Sequence, residues 1–204
     1  MASLDFYFDC SSPWTYLGFT GIHDIATRNS ATINWKPVLV GGIFNAVNQS
    51  VYEQRANPVP VKARYYQKDL ADWAHYYGIA VGMPPVFPVN AVKSMRGAFV
   101  ALDEGCLVPY ATAVFEAYWG DLKDISRDDV LRDLCVGVGL DPDHYFAQIA
   151  DDAIKARLRA NTDEVIARGG FGSPTIFLDD AMFFGNDRLP LIDRALQDLR
   201  SESK

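Results

Sequence analysis

Leu4, Phe6 and Phe8 alternate with Asp5, Tyr7 and Asp9 near the start of the chain. A period of two marks a strand with one face deeply buried, and it predicts a strand ending at Cys10. Ser12-Pro13 then reads as an N-cap followed by proline at the first helical position, where its missing N–H costs nothing. Tyr16, Leu17, Phe19, Ile22 and Ile25 follow at helical spacing, so a first helix is predicted to about Arg28. Thr32 to Val40 reads as a second strand, with Pro37 hinting at an edge or a bulge. Gly41-Gly42 breaks that strand, and the Asn-, Gln- and Pro-rich stretch from Phe44 to Pro60 reads as a loop.

Helical spacing then dominates, over about 61–77, 90–104, 107–119, 127–138 and 143–149, with Pro, Gly and Asp punctuation between. One more helix is predicted from Asp151 to Arg168. Gly169-Gly170-Phe171-Gly172 stops it, and Thr175–Leu178 and Ala181–Phe184 read as a hairpin around Asp179-Asp180. Asp187 is a possible N-cap for a closing amphipathic helix carrying Leu191, Ile192, Ala195, Leu196 and Leu199. The ends therefore spell β-α-β and α-β-β-α around a helical block. That is a thioredoxin layout: an α/β domain from residues 1–50 and 151–204, with an all-helical insertion at 51–150.

Composition narrows the function classes. Hydrophobic residues make up 49% and charged residues 22% of 204 positions, ordinary values for a folded globular chain. A net charge of −7 without any basic run excludes nucleic acid as an expected partner. The opening segment lacks the basic start and apolar block of a signal peptide, and no apolar run approaches the ~18 residues of a membrane span. A cytoplasmic location without a membrane partner is the expectation. Cys10, Cys106 and Cys135 are odd in number and far apart, with no C-x-x-C pair, so neither a metal site nor dithiol cycling is expected. His23, His75 and His144 are equally scattered.

The chemistry is expected at two places. Pro174, at the entrance of a predicted central strand, would forfeit a ladder hydrogen bond. A cis Ser173-Pro174 bond would resolve this and could leave the backbone N–H and C=O of Ser173 free for an extended, peptide-like ligand; an ordinary trans proline ending a loop is the alternative. Ser12 is the second place. On its own it reads equally as a helix cap.

Asp5-Phe6-Tyr7-Phe8-Asp9-Cys10-Ser11-Ser12-Pro13-Trp14-Thr15-Tyr16-Leu17 resembles the opening of 2-hydroxychromene-2-carboxylate isomerases and kappa-class glutathione transferases, whose pattern is roughly FYFDxxSPYSYL. Gly41-Gly42-Ile43-Phe44 with Asn48 downstream, Phe171-Gly172-Ser173-Pro174-Thr175 and Phe184-Gly185-Asn186-Asp187-Arg188 follow in the family's order across the whole chain. The resemblance implies a DsbA-like thioredoxin fold with a helical insertion, glutathione as cofactor, a small aromatic substrate and a homodimer. Ser12 and Thr15 occupy the two positions that hold cysteines in dithiol oxidoreductases, so thiol–disulfide exchange there is excluded.

In that setting Ser12 is expected to donate a hydrogen bond to the glutathione sulfur. Only about 3% of a free thiol with pKa ~8.5 is ionised at pH 7. A helix N-terminus favours an anion by ~0.3–1 kcal/mol, up to about 2 in good geometry. One hydrogen bond to the charged sulfur adds roughly 1.5 kcal/mol. At about 1.36 kcal/mol per unit, the total is about one to two pKa units, enough to make the thiolate a major species. No Ser-His-Asp arrangement makes Ser12 a covalent nucleophile. By the same resemblance Asp187 would receive the γ-glutamyl ammonium, Asn186 and helix-start amides its carboxylate. Asn48 would approach the thiol or the substrate, and Lys62 would lie near an anionic group. Trp14, Tyr65, Tyr66, Trp73 and Phe87 could wall a flat substrate, with one or two of them touching it. Three functions stand: isomerisation of 2-hydroxychromene-2-carboxylate or a close aryl analogue to trans-o-hydroxybenzylidenepyruvate, kappa-type transfer to small electrophiles, and a non-enzymatic peptide-binding module.

Overall fold

Proline at a strand end is harmless only where no neighbour needs its N–H, and Pro37 closes a strand at the edge of a four-stranded sheet. The strands are β1 (Ser3–Phe8), β2 (Thr32–Pro37), β3 (Thr175–Leu178) and β4 (Ala181–Phe184) in a computed structural model that describes residues 1–202. β1 runs parallel to β2 with Phe8 opposite Pro37, and antiparallel to β3 with Tyr7 opposite Thr175. The β3–β4 hairpin turns at Asp179, whose φ of 51° is the left-handed conformation that aspartate tolerates.

β1 lies inside the sheet, and both of its faces are covered. Leu4, Phe6 and Phe8 are fully buried as the alternation predicts, but so are Tyr7 and Asp9 on the face expected to be open. On the first face Phe6 and Phe8 meet Phe19 and Trp35 with ring centroids 5.3–6.4 Å apart. On the second, Tyr7 packs with Val38, Ile43, Val165 and Phe177. Strict alternation signals exposure of one face only when nothing later in the chain docks there. Here residues beyond 160 do.

Helix α1 (Pro13–Asn29) begins as the sequence reads: Ser12 is extended (φ −106°, ψ 122°) and its Oγ accepts the Thr15 N–H at 3.2 Å. The expected loop at 44–60 is instead largely helical, as α2 (Val40–Val47) and α3 (Ser50–Ala56), and the predicted second strand stops at Pro37 rather than Val40. The cause is long-range capping. The Val40 N–H donates to Asp9 Oδ2 at 2.8 Å and the Leu39 N–H to Thr162 Oγ1 at 3.1 Å, so the orphan donors at the start of α2 find acceptors 31 and 123 residues away. Gly42 allows this approach, since a Cβ there would sit 3.2 Å from the Thr162 methyl.

The remaining helices fall close to their predicted spans: α4 (Pro60–Tyr77), α5 (Val92–Asp103), α6 (Leu107–Phe115), α7 (Asp128–Gly137), α8 (Pro142–Ile149), α9 (Asp152–Ala167) and α10 (Leu189–Glu202). Two ends differ. A π-helical turn over Glu116–Gly120 continues α6, and a 3-10 turn over Asn186–Arg188 precedes α10, so Asp187 lies within that turn and is not an N-cap. One continuous core joins the helical block to the sheet. Met95, Phe99, Tyr110, Phe115 and Trp119 belong to the same buried cluster as Phe6, Phe8 and Phe19, and Tyr16 of α1 stacks on Phe115 with centroids 4.9 Å apart.

Candidate active site

Two segments more than 160 residues apart in sequence meet at the start of α1. The Ser12 hydroxyl donates to the Ser173 carbonyl at 3.1 Å while accepting from Thr15, so both its hydrogen and one lone pair are engaged. The Ser173 hydroxyl is equally committed: it accepts the Asp9 N–H at 3.1 Å and shares a 2.8 Å hydrogen bond with the fully buried Thr15 hydroxyl. The Ser173-Pro174 bond is cis. Its carbonyl, expected to be free for a ligand, is taken by Ser12. The Ser173 N–H makes no hydrogen bond among the described residues.

The peptide leading into Ser12 is held from the helical block. Trp119, in the π-helical turn, donates its indole N–H to the Cys10 carbonyl at 2.9 Å, and the Cys10 N–H points at Met95 Sδ at 3.3 Å. Burial pushes the Cys10 thiol well above its usual pKa, so it stays protonated and packs rather than reacts. Asp9 is buried to 1% exposure, and its carboxylate accepts the N–H of Ser11 and of Val40, each at 2.8 Å. Burial nonetheless pushes its pKa up, because two amides do not replace the lost hydration.

Two cavities flank this junction. The first, about 710 Å³, lies between the start of α1, helices α2 and α3, the 87–92 segment and residues 171–173. Its walls are mostly apolar, with Trp14, Leu39, Phe44, Phe87 and Phe184, and Ser12 and Asp9 line its floor. The second, about 520 Å³, is the more polar of the two: Asp69, Asn186, Asp187 and Arg188 face it together with Tyr65, Trp73 and Pro174. Trp14, Ser173 and Phe184 line both and form the ridge between them. Gly172 makes the ridge possible, since a Cβ there would come within 2.8 Å of the Phe184 ring.

The expected site residues distribute unevenly over this geometry. Ser12 and Asn48 line the first cavity, Pro174, Asn186 and Asp187 the second, and Ser173 both. Asn48 is already bonded, its Nδ2 to the Phe171 carbonyl at 3.0 Å and its Oδ1 to the Ser50 hydroxyl at 3.0 Å, so it ties α2 to the 171–173 segment. Asn186 is 2% exposed, and its Nδ2 has no partner. Asp187 pairs with Arg188 at 2.6 Å. Lys62 stands exposed in the first turn of α4 and lines neither cavity. Of the five expected aromatics, Trp14 and Phe87 line the first cavity, Trp14, Tyr65 and Trp73 the second, and Tyr66 neither.

Sequence reasoning missed Asp9 and Arg55. Asp9 reads as the polar position of an alternating strand, and nothing local reveals its amide partners. Arg55 lines the first cavity from α3. Val51, Tyr52 and Arg55, at i, i+1 and i+4, share a helix face, a signal hidden by the loop reading of 44–60. Among the described residues no group of His, Cys, Asp or Glu could hold a metal ion, and no helix is long and apolar enough to cross a membrane.

The family model of the DSBA-like thioredoxin domain matches residues 3–197. A 2-hydroxychromene-2-carboxylate isomerase of Pseudomonas putida is 31% identical over 95% of this chain and 93% of its own. A glutathione S-transferase kappa 2 of Caenorhabditis elegans is 29% identical over 92% of this chain and 88% of its own. A solved structure of a 2-hydroxychromene-2-carboxylate isomerase superposes with a TM-score of 0.85 at 28% identity, covering 98% of this chain and 97% of that one. This chain therefore belongs to the DSBA-like thioredoxin family, within the group that comprises 2-hydroxychromene-2-carboxylate isomerases and kappa-class glutathione transferases.

Proposed function

We propose that this protein is a glutathione-dependent isomerase that converts 2-hydroxychromene-2-carboxylate, or a close aryl analogue, to trans-o-hydroxybenzylidenepyruvate. The observation that carries the reading is the pair of cavities, one lined by several charged and amide side chains and one mostly apolar, separated by a single ridge beside the Ser12 hydroxyl. A polar γ-glutamyl peptide and a flat apolar ring need opposite surroundings, and both must reach one point.

Three features support the fit to glutathione. The buried, unpartnered Nδ2 of Asn186 calls for an acceptor such as a carboxylate, because an orphaned buried donor costs roughly 1–3 kcal/mol. Asp187 supplies a negative group beside it. The Ser173 N–H at the cis-proline corner is an unused donor for an extended backbone.

Glutathione, held by Asn186, Asp187 and the Ser173 N–H with its sulfur at Ser12, would supply a nucleophilic thiolate that is regenerated at the end of the reaction. The chain's own contribution is positional and electrostatic. The Ser12 hydrogen swings from the Ser173 carbonyl to the sulfur, and a ligand amide N–H takes over that carbonyl, so the exchange conserves the number of hydrogen bonds. The N-terminus of α1 adds its positive dipole end at the same place. Trp14 and Phe184 keep water from the reacting carbon on the apolar side.

The test mixes purified protein with the chromene carboxylate, with and without glutathione, and follows the ultraviolet spectrum and the free thiol. Spectral conversion that requires glutathione and leaves its concentration constant is expected. Turnover without glutathione removes the cofactor role. Consumption of glutathione would instead assign the kappa-type transfer that the relative from Caenorhabditis elegans carries in its name.

A further inference from the structure

Arg55 is the cationic side chain among the residues lining the apolar cavity. Its guanidinium lies over the ring of Phe44 at 5.5 Å and over that of Phe87 at 5.3 Å. Two aromatic faces hold the plane of the group in place while leaving the N–H donors at its edge free to point elsewhere. Among the described residues none accepts a hydrogen bond from it or pairs with it. By contrast Arg127, Arg132, Arg157, Arg168, Arg188 and Arg194 each pair with an aspartate.

We propose that Arg55 is the carboxylate receptor of this cavity, so that the site selects a planar aromatic acid over its uncharged analogues; the inference rests on the isomerase reading above and assigns the residue that reads its substrate's charge. The acidic group lining the same cavity, Asp9, makes no pair with the cation: it is 1% exposed and its carboxylate accepts the Ser11 and Val40 amides instead. A chain of net charge −7 repels anions at long range, so an anionic substrate needs a local cation. One guanidinium fork matches one carboxylate, and the surrounding Trp14, Leu39 and Phe184 suit a flat ring rather than further charge. Lys62 does not substitute for it, since it stands outside the cavity.

Calorimetric titration with chromone-2-carboxylate and with its carboxamide, two flat probes that lack the reactive hemiketal, tests the assignment. The wild-type protein should bind the acid at least roughly tenfold more tightly than the amide, the size expected of one charge-assisted pair. Arg55→Met should weaken the acid by about that factor while leaving the amide within roughly twofold, and Arg55→Lys should restore part of the preference. Arg55 is exposed, so both variants should keep the wild-type circular dichroism. A preference for the acid that survives in Arg55→Met overturns the proposal, as does equal or absent binding of the two probes by the wild type. An Arg55-dependent preference in a protein that fails to isomerise the chromene supports the receptor and removes only the reaction.

Discussion

Replacing Ser12 by alanine separates what the hydroxyl does for the fold from what it does for the chemistry. In the free protein the change removes the N-cap of α1, about 1 kcal/mol. It also leaves the carbonyl of Ser173, a residue 6% exposed, without its donor, about 1 kcal/mol more. The sum of about 2 kcal/mol corresponds to a fall in Tm of about 4–8 °C for a chain of this size. With glutathione bound, the thiolate loses one hydrogen bond of roughly 1.5 kcal/mol, so the pKa of the bound thiol should rise by about one unit. Two assays read the two effects: thermal unfolding followed by circular dichroism, and pH titration of the bound thiol by its ultraviolet absorbance. Turnover at pH 7 should fall about three- to eightfold if the thiolate is the reacting form, the drop in thiolate fraction that one unit brings from a starting pKa of about 6.5–7.5. Ser12→Gly is the control, because glycine costs a helix cap only a few tenths of a kcal/mol yet lacks the hydroxyl; its thiol pKa should rise as in the alanine variant, with a smaller loss of Tm. A drop in Tm with an unchanged bound-thiol pKa in both variants would refute the role in catalysis and leave Ser12 as a cap.

Other perturbations probe the neighbouring groups. Asn186→Ala should weaken glutathione binding at least about tenfold in calorimetry with little change in Tm, because its buried Nδ2 has no protein partner to lose; unchanged affinity would exclude it from the ligand site. Burial raises the Asp9 carboxyl above its ordinary value of 3.8, so its protonated form favours folding below that pH and the contribution is lost as pH rises through the folded value. Stability of the wild type relative to Asp9→Asn should therefore fall as pH rises above the ordinary carboxyl range in parallel urea titrations, and a pH-independent difference would contradict the burial argument. Trp119→Phe strips the buried Cys10 carbonyl of its donor and should cost about 1–3 kcal/mol in urea unfolding; a loss within error would show that the carbonyl finds another partner.

Much of this was legible in the order of the residues. The start of α1 is written locally, as Ser12-Pro13 before a helical stripe, and the hairpin is written as two apolar runs around Asp179-Asp180. What could not be read was held by partners far along the chain. The 44–60 stretch has loop-forming composition and folds into α2 and α3 because Asp9 and Thr162 cap α2 from other elements. The second face of β1 is covered by Val165 and Phe177, so alternation misjudged Tyr7 and Asp9. At the site, the motifs around Ser12, Ser173 and Asn186, distant in sequence, line two adjacent cavities. The bond that joins Ser12 to Ser173 and the placement of Arg55 between two rings needed coordinates.

The hydrogen bond from Ser12 to Ser173 spans 161 positions of sequence, and β1 takes its antiparallel neighbour from residues 175–178. β1 therefore emerges from the ribosome well before β3, its antiparallel partner. At about 5–20 residues per second, that interval is on the order of ten seconds. During it Phe6 and Phe8 have no closed sheet to enter, although α1 and the helical block, which share their core cluster, precede β3 in the chain and can shelter them. Closing such a distant pairing is slow on entropic grounds. The reactive corner thus forms only after residue 173 has been made, and a chain cut short before it would carry the first helix and its serine with no second wall to work against.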